Sequence, residues 1–329
     1  VGVRKLILSI CIFGSVFMTL RGQDPHFTQF YANPLYLAPS FAGAIQSDRV
    51  SAVYRNQWAS LPGAFVTYSF SYDHFFDNFN SGVGVLLMRD VAGSGDLSLT
   101  NAGLQYSYDI MINNYWHVRP GIHFNYTQMG IDYAKLTWND ELTSSGTGGN
   151  TIEQPGEDVV SDVDFSTSAL VYSERYWLGF AVDHLLRPNY GMWNNEADWP
   201  IKYSVFGGAQ VIRRGRLLNP VDESLSLAFL FRHQYIYNQL DLGLYWYKAP
   251  LMLGFWYRGI PFFGMDPKGD ALAFLVGYKM DELRVGYSYD FTISNLVSST
   301  GGAHEVSVTY EFKTTRKRSK RHMVPCPEF

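Results

Sequence analysis

Cysteine is almost missing from this 329-residue chain, which has only Cys11 and Cys326. Charge is scarce as well, at 17% Asp, Glu, Lys and Arg, where soluble domains usually carry nearer a quarter. Beyond residues 6–20 no long apolar run occurs, so no second helical membrane span is encoded. P-loop, G-x-G-x-x-G, G-x-S-x-G and H-E-x-x-H motifs are all lacking; His304-Glu305 starts the last of these without its second histidine. Together these absences exclude a disulfide-stapled scaffold, a helical membrane bundle and the common nucleotide-binding or hydrolytic folds. The first residues read as an export signal, with Arg4 and Lys5 before the apolar run Leu6 to Leu20. Cleavage near Gly22 would leave Gln23 as the mature start. Ile10 stands where a lipoprotein box needs a small residue before Cys11. Removal of the signal takes Cys11 away, leaves no intramolecular disulfide and shifts the net charge from −4 to −7. Without the six basic residues between Lys313 and Arg321 the body stands at −13, which argues against a nucleic-acid binder.

What the chain has in abundance is aromatic side chains (23 Tyr, 23 Phe, 8 Trp) and 30 glycines, many of them inside extended segments. Leu283, Val285, Tyr287, Tyr289 and Phe291 alternate with Arg284, Gly286, Ser288, Asp290 and Thr292. The same period of two runs through residues 66–73, 102–110, 116–126, 225–231 and 306–312. Alternation gives each strand one apolar and one polar face. The segments have the roughly 9–11 residues of a tilted bilayer-crossing strand, not the roughly 5–6 of a globular one. A soluble β-sandwich would use shorter strands and bury its aromatic face. The pattern therefore predicts an all-β fold: a transmembrane antiparallel β-barrel of about fourteen strands, near 47–56, 64–76, 81–91, 96–111, 115–127, 162–173, 176–184, 200–213, 223–233, 237–247, 250–258, 269–279, 282–293 and 303–313. Alternate connections are short and long, as periplasmic turns and outer loops are, which predicts both chain ends on the periplasmic side. The exceptions are 214–222, long where a turn is due, and 234–236, short where a loop is due.

Four regions follow: a signal peptide at 1–22, an N-terminal periplasmic or plug segment at 23–46, the barrel at 47–313 and a basic periplasmic tail at 314–329. The acids of 128–161 (Asp140, Glu141, Glu153, Glu157, Asp158) lack calcium-ligand spacing, and a solvated loop accounts for them. His117 and His123 share an inner face with Arg119; they could serve a barrel hydrolase, but a polar lumen network is the simpler account. Inward-facing Asp73, Asp109, Asp183, Lys202, Arg232, Asp241, Arg258, Lys279, Arg284 and Asp290 fit either a filled lumen or a pore lining. No cofactor or metal is expected.

One resemblance is specific. Gln23-Asp24-Pro25-His26-Phe27-Thr28-Gln29-Phe30-Tyr31-Ala32-Asn33-Pro34-Leu35, then Ala38-Pro39-Ser40-Phe41-Ala42-Gly43, resembles the mature start of the PorP/SprF family; Ala38 and Ser40 depart from its usual Asn and Ala. Tyr54-Arg55-Asn56-Gln57-Trp58 with Pro62-Gly63, Asp183-His184 with Pro188, and Pro325-Cys326-Pro327 look similar too. The resemblance implies a non-enzymatic outer-membrane barrel of the type IX secretion and gliding machinery of Bacteroidota. It further implies as partners the C-terminal domain of a large secreted adhesin, periplasmic type IX components and outer-membrane lipid. It singles out Gln29, Asn33, Pro34, Leu35, Pro39, Gly43, Tyr54, Arg55, Gln57, Trp58, Asp183 and His184. The segment 23–45 is too aromatic to float in water, and it is expected in or beneath the periplasmic mouth. Trp58 fits an interfacial girdle, while Arg55 and Gln57 are placed to face cargo. A passive diffusion porin is the alternative.

Overall fold

The computed structural model describes residues 24–143, 146–147, 151–152, 155–193, 197–215, 222–259, 269–293 and 301–312. The expected signal at 1–22, Gln23, part of the acidic loop and the tail with Cys326 lie outside them. Alternating side chains produce fourteen long strands: β1 (Arg49–Gln57), β2 (Phe65–Phe76), β3 (Ser81–Ala92), β4 (Leu97–Tyr108), β6 (His117–Gly130), β9 (Val159–Tyr172), β10 (Tyr176–Asp183), β11 (Lys202–Arg214), β12 (Glu223–Gln234), β13 (Tyr237–Lys248), β14 (Leu251–Gly259), β15 (Gly269–Met280), β16 (Leu283–Thr292) and β17 (Ala303–Glu311). The short β5 (Ile110–Met111) adds to β6, and β7 (Leu142–Thr143) pairs with β8 (Gly146–Thr147) in a loop.

Each long strand pairs antiparallel with its neighbours in sequence, and β1 pairs with β17 from Arg49↔Glu311 to Gln57↔Ala303. That last ladder closes the barrel and leaves no free edge, the condition for a sheet to sit in hydrocarbon. Tight connections such as Asn80, Ser173–Arg175 and Asp281 lie at one end, here the turn end. Residues 58–64, 131–143, 155–158, 184–193 and 197–201 lie at the other, the loop end. The fourth strand is shorter than its alternation predicts. Asp109 interrupts it, because its N–H donates to Asn80 O and its carboxylate meets His117 and Tyr172. Conversely, β6 and β9 outrun their apolar pattern, since Gln128, Ser161 and Asp162 continue the pairing as polar residues.

On the outside stand Tyr68, Phe70, Leu104, Phe124, Leu178, Phe255, Phe274 and their like, all exposed. This is an apolar belt that only lipid can satisfy. Inside, the core is built around residues 24–48 of the chain itself. Residues 24–48 enter the lumen at the turn end, make three short helical turns (Phe30–Ala32, Pro34–Leu37, Pro39–Phe41) and reach the loop end at Asp24. Asn33-Pro34 and Ala38-Pro39 set the second and third of those turns, because proline opens a helix without losing a hydrogen bond and restrains the residue before it.

Candidate functional site

The lumen has two unlike walls, and the plug matches both. On the side of β9–β15, Leu170, Tyr172, Phe206, Leu230, Tyr245, Trp256 and Leu275 point inward and pack with Phe30, Tyr31, Leu37 and Phe41 as one core. Phe30 stands edge-on to Trp256 at 5.1 Å and Tyr31 edge-on to Tyr245 at 5.0 Å. These strands are apolar on both faces, one towards lipid and one towards the plug. That is how a sheet buried on two sides reads.

On the side of β1–β6 the wall offers glycine and polar groups, and the plug presents backbone. The Ala42 carbonyl lies over Gly82 and Ser40 over Gly121, so closely that a Cβ at either glycine would overlap it. Leu35 fills the space above Gly84. Arg119, fully buried, donates to the carbonyls of Ser40 at 3.2 Å and Ala42 at 2.5 Å. Ser107 donates to the same Ala42 carbonyl at 2.7 Å, and Gln105 to Leu35 O at 2.8 Å. Asn33 donates to Ser69 at 2.8 Å, and Ser168 accepts from Ser40 N–H at 2.8 Å. Gly43 (φ +66°) turns the plug so that its N–H donates to Asp73, whose other oxygen is held by Arg49. Polar atoms cut off from water need such partners.

Two charged clamps hold the part of the plug nearest the loop end. In the first, Arg55 (2% exposed) reaches Asp290 at 2.8 Å, Glu305 at 2.9 Å and the Thr28 hydroxyl at 2.8 Å. Glu305, itself fully buried, accepts the N–H groups of Thr28 and Gln29 at 2.8 Å each. Gln29 is enclosed between Ser288 and Ser307, while Arg258 meets Asp290 and Thr28 from the opposite side. In the second clamp Asp24 accepts from Lys202 at 2.5 Å, His184 at 2.9 Å and the Trp199 indole at 2.8 Å. His184 turns its other nitrogen to Asp164 at 2.7 Å, and Lys202 also pairs with Asp183 at 3.2 Å. Burial by itself raises the carboxyl of Asp24, but His184 and Lys202 overcome it and hold it well below its ordinary range. Burial disfavours the charged imidazole of His184, yet Asp24 and Asp164 push it up to about 10.

The residues singled out in the sequence thus divide. Gln29, Asn33, Pro34, Leu35, Pro39 and Gly43 belong to the plug, and Arg55, Asp183 and His184 to its clamps. Gln57 accepts from Arg55 at 3.3 Å, so neither faces away from the barrel. Tyr54 is on the lipid side against Tyr68, and Trp58 (φ +60°) ends β1 at the loop rim with its ring edge-on to Phe65. His117 meets Asp109 and stacks on Tyr172; His123 lies on Gly103 beside a small cavity of about 50 Å3. Asp290, Glu305 and Trp199 complete the clamps; alternation placed Asp290 on the inner face, and no motif marks Glu305 or Trp199. The both-faced apolar runs 240–247, 251–257 and 271–278 were a readable signal that something apolar lies inside.

Lumen-facing groups as polar as Asp73, Arg119, Asp290 and Glu305 are almost completely shielded from solvent. The described interior is therefore a packed core, not a water-filled pore.

A family model described as "Type IX secretion system membrane protein PorP/SprF" matches residues 19–310. No curated protein matches the sequence. Among solved structures, the CymD monoaromatic hydrocarbon channel superposes with a TM-score of 0.53 at 10% identity, over 87% of this chain and 94% of that one. The toluene transporter TbuX of Ralstonia pickettii gives 0.50 at 9% identity, over 84% and 92%. At such identities the likeness is one of fold: an outer-membrane barrel.

Proposed function

Because the chain belongs to the PorP/SprF family of type IX secretion membrane proteins, we propose that it serves the export or surface anchoring of one or a few large adhesin-like proteins. In this reading it receives the cargo's C-terminal domain at the loop end and meets periplasmic type IX components at the turn end. The signal peptide is removed and the turn end faces the periplasm. The observation that carries this reading beyond the family is the filled lumen. A barrel whose interior is packed with its own residues 24–48 is suited to present a fixed outer surface to a protein partner and unsuited to pass solutes. Of the residues shared with the family motifs, Gln29, Asn33, Gly43, Arg55, Asp183 and His184 work here to keep the plug seated.

The test is deletion of the gene, followed by comparison of surface and culture-fluid proteins with the parent strain. Loss of one large adhesin identifies a dedicated partner. Loss of all type IX cargo identifies a core component. If no secreted protein changes and the purified barrel conducts steadily in planar bilayers, the reading fails and a diffusion porin replaces it.

A further inference from the structure

On the loop-side half of the lipid-facing belt, Arg89 is a cation that the packing of the described residues leaves unanswered. In successive ladders Tyr54 faces Tyr68, Tyr68 faces Arg89 and Arg89 faces Thr100, which puts all four on one outward row across β1–β4. The next outward row away from the loop end contains the small Ala52 and Ala102 beside Leu87, and the two rows form an apolar trough of about 530 Å3. One row nearer the loop end the outward positions are polar at Asn56, Ser98 and His304 and apolar at Val66 and Val91 between them. Arg89 therefore lies near the loop-side edge of the hydrocarbon belt, one row from its first outward polar residues. Its side chain is exposed and has neither ion pair nor hydrogen bond among the described residues. Other outward charges among the described side chains of the strands, Arg214, Glu223 and Lys248, lie together at the turn end.

A bare guanidinium facing acyl chains is costly and persists where it meets an anion. Its planar fork suits a phosphate bidentately. Tyr68 and Thr100, each with a hydroxyl, stand opposite it on the two adjoining strands, and the trough running away from it has the apolar lining of an acyl-chain site. We propose that Arg89, with Tyr68 and Thr100, binds the headgroup phosphate of a loop-side leaflet lipid, one of whose acyl chains lies over Ala52 and Ala102. The proposal rests on the outer-membrane placement and is independent of the secretion role.

Full-length protein in nanodiscs would be examined by native mass spectrometry, with phosphorylated lipid A as the probe and its dephosphorylated form as the control. The wild-type protein retains phosphorylated lipid A in preference to the control. Arg89→Gln lowers retention by roughly 10- to 100-fold, the effect of losing a hydrogen-bonded charge, and Ala102→Trp lowers it by filling the trough. Equal retention by Arg89→Gln, or equal binding of the dephosphorylated lipid, overturns the proposal. So does displacement of the lipid by inorganic phosphate alone, which would mean an anion site without an acyl trough. Neither variant touches the plug, so a negative result here leaves the secreted-protein comparison to be judged by itself.

Discussion

Gly82→Ala is the sharpest perturbation available, because it adds one methyl group to the inner face of β3 and removes no barrel hydrogen bond. The new Cβ would lie more than about 1 Å inside the C···O contact distance from the Ala42 carbonyl. That carbonyl must move, and it is the shared acceptor of Arg119 and Ser107. Losing a hydrogen bond from a charged donor costs about 1.5–3 kcal/mol and one from a hydroxyl about 0.5–1.5. The plug is thus unseated by about 2–4.5 kcal/mol, roughly a 30- to 2,000-fold shift in its seating equilibrium. The barrel itself is spared, since Gly to Ala is not unfavourable within a strand. A Ser40→Cys reporter in a Cys326→Ser background would read the effect through labelling by a membrane-impermeant maleimide, together with conductance in planar bilayers. Heat-modifiable gel mobility would check that the barrel still closes. Faster labelling and new conductance from a folded barrel are expected. Wild-type labelling and conductance from a folded Gly82→Ala barrel would show that the wall yields instead, and the seating argument would fail.

Other consequences can be measured in the same way. Arg55→Leu leaves Glu305 and Asp290 buried with less compensation. It should destabilise the protein by about 3–5 kcal/mol, seen as a lower melting temperature in detergent, while Arg55→Lys recovers only part because a lysine cannot bridge three acceptors in a fixed plane. The Asp24 clamp should respond to pH at both ends. The raised His184 contributes fully below its ordinary value of 6.5 and loses its contribution as pH rises through about 10. The lowered Asp24 contributes above its ordinary 3.8 and loses it as pH falls below that. Plug release, read as conductance of the folded barrel in planar bilayers, should therefore rise towards pH 10 and again in strong acid. His184→Gln should remove the alkaline rise, and an unchanged alkaline limb would refute the assignment to His184. Deleting residues 24–45 should open the lumen to ions, and an unchanged conductance would mean that the wall is closed by other groups.

The period of two was enough to locate fourteen strands and to say which residues face lipid, because a side chain's face on a strand depends only on whether its position is odd or even. The aromatic content and family-like motifs of residues 23–43 marked that segment as one that must be buried. What fills the lumen was a different kind of question. Alternation reports that Asp73, Arg119, Asp290 and Glu305 point inward and is silent on whether water or protein meets them there. Arg55 finds Asp290, Glu305 and Thr28, and Asp24 finds His184 and Lys202, across separations of more than 150 residues in all but one of these contacts. Those meetings exist only after the β1–β17 ladder closes the ring and fixes its register, since one strand's slip would turn every partner outward. Sequence by itself therefore determined the barrel and its two faces, which are local properties of each strand. Tertiary structure alone decided that residues 24–48 occupy the interior up to the loop end, because that depends on ring closure bringing distant residues to one height inside a space the sequence cannot measure.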